Sequence, residues 1–123
     1  MKRVETKDSI LNSIKKVLGI YEEDTSFDID IIMHINTVFM ILTQMGVGPS
    51  EGFSVYDARD TWDDYLSDIS LIEAVKTYIA LKVRLIFDPP ASSAMIEAMN
   101  RTISELEWRL NVQADYAESF EKE

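Results

Sequence analysis

Between Leu71 and Phe87 seventeen residues run without a glycine or a proline, and Asp88-Pro89-Pro90 then stops them. Proline lacks the N–H that the next helical turn needs and its ring collides with the preceding carbonyl, so a helix has to end at this point. Within the segment Leu71, Ile72, Val75, Tyr78, Ile79, Leu85 and Ile86 recur at helical spacing, with Leu81 and Val83 widening the stripe. Ser70 is placed to cap the start. A helix apolar over so much of its circumference belongs at the centre of a core. Ser92-Ser93 open the next helix, from about Ser93 to Asn111, with Met95, Ile96, Met99, Ile103, Leu106 and Leu110 on one face and Trp108 off that line.

Upstream, Asp8 or Ser9 can cap a helix carrying Ile10, Leu11, Ile14, Val17 and Leu18, which Gly19 stops; Lys15 and Lys16 suit its C-terminal dipole. Thr25 or Ser26 precedes a second helix from about Asp28 to Met45, ended by Gly46. Its apolar positions, Ile29, Ile31, Ile32, Ile35, Val38, Phe39, Ile41, Leu42 and Met45, exceed one stripe, which predicts burial on two sides, against its own domain and against a partner. Residues 47–60 read as a loop broken by Gly48-Pro49-Ser50-Glu51-Gly52, in which alternating Phe53, Val55 and Tyr56 allow a short strand. Thr61 can cap a short helix through Leu66.

The pattern predicts an all-α fold: a small bundle of four longer helices plus one short helix, with a long loop between the second and third. The expected core is Leu71, Val75, Ile79, Ile86, Ile35, Phe39 and Leu42. One helical domain covers residues 1–112, and residues 113–123 form an acidic tail. There Val112, Tyr116 and Phe120 recur every four residues, a line so thin that the segment is expected to order only on assembly.

The chain has 123 residues, enough to bury a core unaided, and no cysteine, which removes disulfides, thiolate metal sites and thiol nucleophiles together. No apolar run approaches the roughly 18 residues that span a bilayer, and the N-terminal residues lack a signal-peptide core, so a soluble protein made and used in the cytoplasm is expected. The formal charge of −10 is uneven: residues 19–73 hold twelve acids and one arginine, whereas residues 74–112 hold five bases against four acids. An acidic middle third repels phosphates and argues against DNA clamping or sequence reading.

The residues carry little chemistry. His34 is the single histidine, inside a helix, and receives no role. Asp57, Asp60, Asp63, Asp64 and Asp68 lie close in sequence but miss the calcium-loop glycine and glutamate, so capping or a solvated face is the expected use. The paired acidic motifs by which all-helical nucleotide hydrolases hold magnesium do not occur in the core helices, and no phosphate loop or serine elbow is present. No catalytic residue, cofactor or metal site is assigned. Phe53, Tyr56, Trp62, Tyr65 and Trp108 cluster in a loop, in a short helix and off the main stripe; with Tyr116 and Phe120 they are the candidate interface residues, each weighed against a place in the core.

The order Thr61-Trp62-Asp63-Asp64-Tyr65-Leu66, then Leu81-Lys82-Val83-Arg84-Leu85-Ile86-Phe87-Asp88-Pro89-Pro90, then Glu105-Leu106-Glu107-Trp108-Arg109-Leu110, resembles the head-to-tail connector (adaptor) proteins of long-tailed bacteriophages and prophages, over most of residues 8–112. The resemblance implies a small helical virion protein without catalytic activity. It would dock on the portal protein as a ring, usually dodecameric, and form the platform for the next neck or tail-completion protein, with DNA passing through the middle. Assembly would take place in the host cytoplasm, with no membrane and no sequence-specific nucleic acid as partner. Two rival readings remain at this point, a generic helical protein-interaction module and a metal-dependent nucleotide hydrolase.

Overall fold

The computed structural model describes residues 9–121, with the side chains of residues 69 and 116–121 outside the description. Among the described residues there are five helices: α1 (Ile10–Leu18), α2 (Asp28–Gln44), α3 (Trp62–Tyr65), α4 (Ile69–Phe87) and α5 (Ser93–Glu121). The all-α bundle of four longer helices and one short one is the architecture expected from the periodicity.

Helix ends follow local chemistry. The Ser9 side chain accepts the Asn12 N–H, and Gly19, at φ 78°, turns the chain out of α1 while its N–H donates to the carbonyls of Lys15 and Lys16. Neither Thr25 nor Ser26 caps α2; Phe27 occupies that position without a side-chain cap, and the acids Asp28 and Asp30 complement the first turn instead. At α3 the expected cap by Thr61 is present and doubled: its hydroxyl accepts the Asp64 N–H while the Asp64 carboxylate accepts the Thr61 N–H. Asp68, not Ser70, caps α4, accepting the N–H groups of Ser70 and Leu71. A carboxylate placed there gains from both the orphan donors and the dipole, which a serine two residues later cannot match. α5 continues to Glu121 instead of ending near Asn111, because no glycine or proline follows Asn111 to stop it.

No strand forms in residues 47–60. Asn36 of α2 replaces one: its Oδ1 accepts the Val55 N–H at 2.7 Å and its Nδ2 donates to the Val55 carbonyl at 3.0 Å. The bidentate amide satisfies the backbone that a neighbouring strand would otherwise pair, and Val55 is buried beneath it. The loop's far end is fastened to the start of α1, where Ile10 N–H donates to the Asp60 carbonyl at 3.0 Å and Ser9 and Thr61 form an isolated bridge.

α4 is the centre. It packs against α1, α2 and α5, whereas α2 and α5 scarcely meet. Val75, Tyr78, Ile79 and Val83 are fully buried, facing Ile31, Ile35, Val38, Phe39 and Leu42 of α2 and Ile10, Leu11 and Ile14 of α1. From α5, Ile103 and Leu110 complete the core. The expected core residue Ile86 does not belong to it, being 50% exposed. It lies on the line of Val75 and Ile79, but in the last turn of α4 it is Leu85 and Phe87 that pack against the core, Phe87 edge to face with Phe27 at 5.5 Å. Leu71, at the opposite end, is half-buried against the core.

Candidate functional site

The aromatic residues separate into inside and outside. Trp62 and Tyr65 are each 3% exposed, so their place is the core of the subunit and not its candidate interface. The reason is local: the capping box fixes α3 so that both rings turn inward. Trp62 Nε1 donates to Ser13 Oγ at 3.1 Å, satisfying the polar end of a buried indole. Tyr65, Phe53 and Phe39 form a three-ring cluster with centroids 4.7 to 5.3 Å apart, which also removes most of Phe53 from the surface. Tyr56 and Trp108 stay outside, at 80% and 66% exposure. Tyr116 and Phe120 have side chains outside the described residues.

The Tyr65 hydroxyl is buried without a hydrogen-bond partner, and burial pushes its pKa up to about 12. Gly48 closes over this ring at φ 86°; a Cβ there would lie 2.6 Å from the hydroxyl oxygen, so glycine is demanded by both backbone and space. Tyr78 is the second buried tyrosine. Its hydroxyl donates to Glu107 Oε2 at 2.8 Å across the α4–α5 seam, and burial, followed by that carboxylate, raises its pKa.

The run of aspartates is used by the backbone. Asp60 accepts the N–H groups of Tyr56 and Asp57, Asp64 closes the capping box and Asp68 caps α4. Asp57 accepts the Arg59 N–H and pairs with its guanidinium at 2.7 Å; hydrogen bonds from that side chain, then from its N–H, hold the carboxyl below the usual carboxylate range. Among the described residues no three acids or histidines converge as a metal site. His34 is half-buried with its ring 6.5 Å from that of Phe87. A groove of about 670 Å³ between the end of α2 and the far part of α5 is floored by Met45, Val47, Leu66, Leu71 and Leu110.

Among the exposed large apolar side chains, two groups lie along the outer faces of helices. Ile29, Met33 and Met40 of α2 are 80%, 57% and 56% exposed, on the side of the helix away from its buried Ile31, Ile35, Val38, Phe39 and Leu42. Trp108 and Val112 of α5 are 66% and 45% exposed, opposite Ile103 and Leu110. With α4 between these two helices, the stripes face different sides of the subunit. Of the α2 stripe only Ile29 belonged to the apolar pattern read from the sequence; Met33 and Met40 did not, and none of the three was among the candidate interface positions.

A structure of structural caps, two outward apolar stripes and no assembled reactive cluster among its described residues agrees with what comparison with known proteins finds. The family model described as phage connector protein matches residues 10–117, from the first residue of α1 to four residues before the end of α5. The chain belongs to the phage connector protein family. No curated protein and no solved structure matches it. As a phage connector it is a structural component of the head-to-tail joint of a virion, from a family of structural proteins. No helix among the described residues is long and apolar enough to cross a membrane.

Proposed function

We propose that this connector assembles in the host cytoplasm as a ring, most simply dodecameric, that docks on the portal protein and presents the platform for the next neck or tail-completion protein. DNA passes through the ring. The observation that carries the reading is the family match across residues 10–117. Two further features support it. A closed ring of identical subunits needs two different, mutually complementary patches on each subunit, and the outward faces of α2 and α5 provide two. The twelve acids of residues 19–73 give a surface that repels phosphates, as a conduit for moving DNA requires. In this reading the connector has no catalytic activity of its own, and the acidic end, residues 113–123, serves as an arm that docks on the portal or a neighbouring subunit.

The test is genetic and structural. Phage lacking the gene should fill heads with DNA but fail to join tails, and imaging of complemented particles should show the protein between portal and tail. Tailed, infectious particles formed without it would overturn the reading.

A further inference from the structure

The groove of about 670 Å³ lies in the wedge between α2 and α5, two helices that scarcely meet. Its floor is apolar and partly open, with Met45, Leu66 and Leu71 half-buried and Leu110 fully buried. Its described lining carries two charges, both negative. Asp68 commits Oδ1 to the cap of α4, and its Oδ2 has no partner among the described residues. Asp115 is exposed and without an ion pair among them.

The chain before Ser9 joins the fold beside this groove. Ser9 and Thr61 form an antiparallel bridge, so the residues preceding Ser9 set out in the direction taken by those following Thr61. That direction leads through α3 to Leu66 on the groove floor. Val4 stands five residues before Ser9, and Leu66 five residues after Thr61. Five residues span at most about 18 Å, and the helical turn of α3 shortens its own side, so Val4 and the residues before it have length to spare. Met1-Lys2-Arg3-Val4 contains two bases, no acid and an apolar residue at either end.

We infer that Met1-Lys2-Arg3-Val4 lies in the groove of its own subunit as a strap, with Val4 against Leu66 and with Arg3 and Lys2 at Asp68 and Asp115. Direction, reach and charge favour this occupant together. Long basic side chains lay their methylene stems on apolar surface while their heads pair with carboxylates, which is what an apolar floor rimmed by two acids receives. The strap ties the end of α2 to α5 at the place where Ala114 stands against Gly46, so close that a Cβ on the glycine would lie 3.4 Å from its own.

The chain has no cysteine, so a single nitroxide can be attached to the full-length connector at Glu5→Cys. In the isolated protein the methyl resonances of Leu71, Leu110 and Ala114 should be lost to paramagnetic broadening, while that of Ile29 persists. Adding Lys2→Glu and Arg3→Glu should restore the lost signals. In a mixture of isotope-labelled subunits without nitroxide and unlabelled subunits bearing it, all signals should persist. Retention of the groove signals in the nitroxide-bearing protein, their continued loss after charge reversal, or their loss in the mixture, which would mean exchange between copies, overturns the inference.

Discussion

Lys15 Nζ lies 2.9 Å from Asp28 Oδ1, joining the end of α1 to the first residue of α2 through a lysine that is 1% exposed. The same ammonium donates to the Glu22 carbonyl at 3.1 Å, so it also gathers the connecting turn. Removing either partner of such a pair strands the other charge; with the lysine 1% exposed and Asp28 23% exposed, stranding the ammonium, at about 3 kcal/mol, costs more than stranding the carboxylate, which water still reaches. Asp28→Ala should therefore lower the denaturant midpoint much more than Lys15→Met. Equal losses from the two variants would show that the ammonium is better solvated than its burial indicates.

Tyr65 gives a stabilising substitution. Its hydroxyl is buried and unpaired, so Tyr65→Phe removes an unsatisfied group and should raise stability by about 1 kcal/mol at neutral pH. The alkaline limb should change too. A phenol whose pKa rises from 10.0 to about 12 on folding contributes fully below pH 10 and loses that contribution as pH rises through its folded value. The wild-type connector should thus weaken between pH 10 and pH 12, and Tyr65→Phe should weaken less; thermal melts across that window would show it.

Gly48 and Gly19 share a left-handed backbone but differ in surroundings. At Gly19 a methyl group meets open space, at Gly48 the Tyr65 ring. Gly19→Ala should cost about 1 kcal/mol and Gly48→Ala about 2 to 3 kcal/mol, measured by chemical unfolding. Similar costs would mean that the ring moves aside freely.

The two isoleucines on one line of α4 should behave differently. Ile79→Ala, at a fully buried site, is expected to cost roughly 2 to 5 kcal/mol, whereas Ile86→Ala, at a half-exposed site, should cost under about 1 kcal/mol.

Purified full-length connector should give no retarded band with duplex DNA at physiological salt, since residues 19–73 present twelve acids against one arginine. Tight retardation would mean that the bases of the remaining segments form a patch able to outweigh this field.

The helices were legible because their signals are local. Gly19, Gly46, Thr61 and Asp88-Pro89-Pro90 end or begin elements by backbone chemistry that needs no tertiary partner, and each does so in the structure. What escaped depends on partners distant in sequence. Ile86 carries the right period, yet in its turn the neighbouring elements meet Leu85 and Phe87 instead. Phe53, Val55 and Tyr56 alternate as a strand would, but Asn36, nineteen residues before Val55, supplies the pairing amide. Trp62 looks surplus to a small core until Ser13 is found beside its nitrogen, 49 positions away. The burial of Lys15 left no trace in a pattern that otherwise suits a solvated helix end.

Since α1, α2 and α5 each lean on α4, α2 hardly touches α5, and α1 meets α2 over less than either gives to α4, the outer helices keep little core in its absence. The chain therefore has no half that can survive alone. Its opening should be all-or-none, with the amides of α4 exchanging slowest and a proteolytic cut in the loop before α3 releasing no folded fragment. For a part that joins a head to a tail, this means that yielding at one face is not absorbed locally; strain entering through α2 reaches α5 chiefly by way of a single uninterrupted helix.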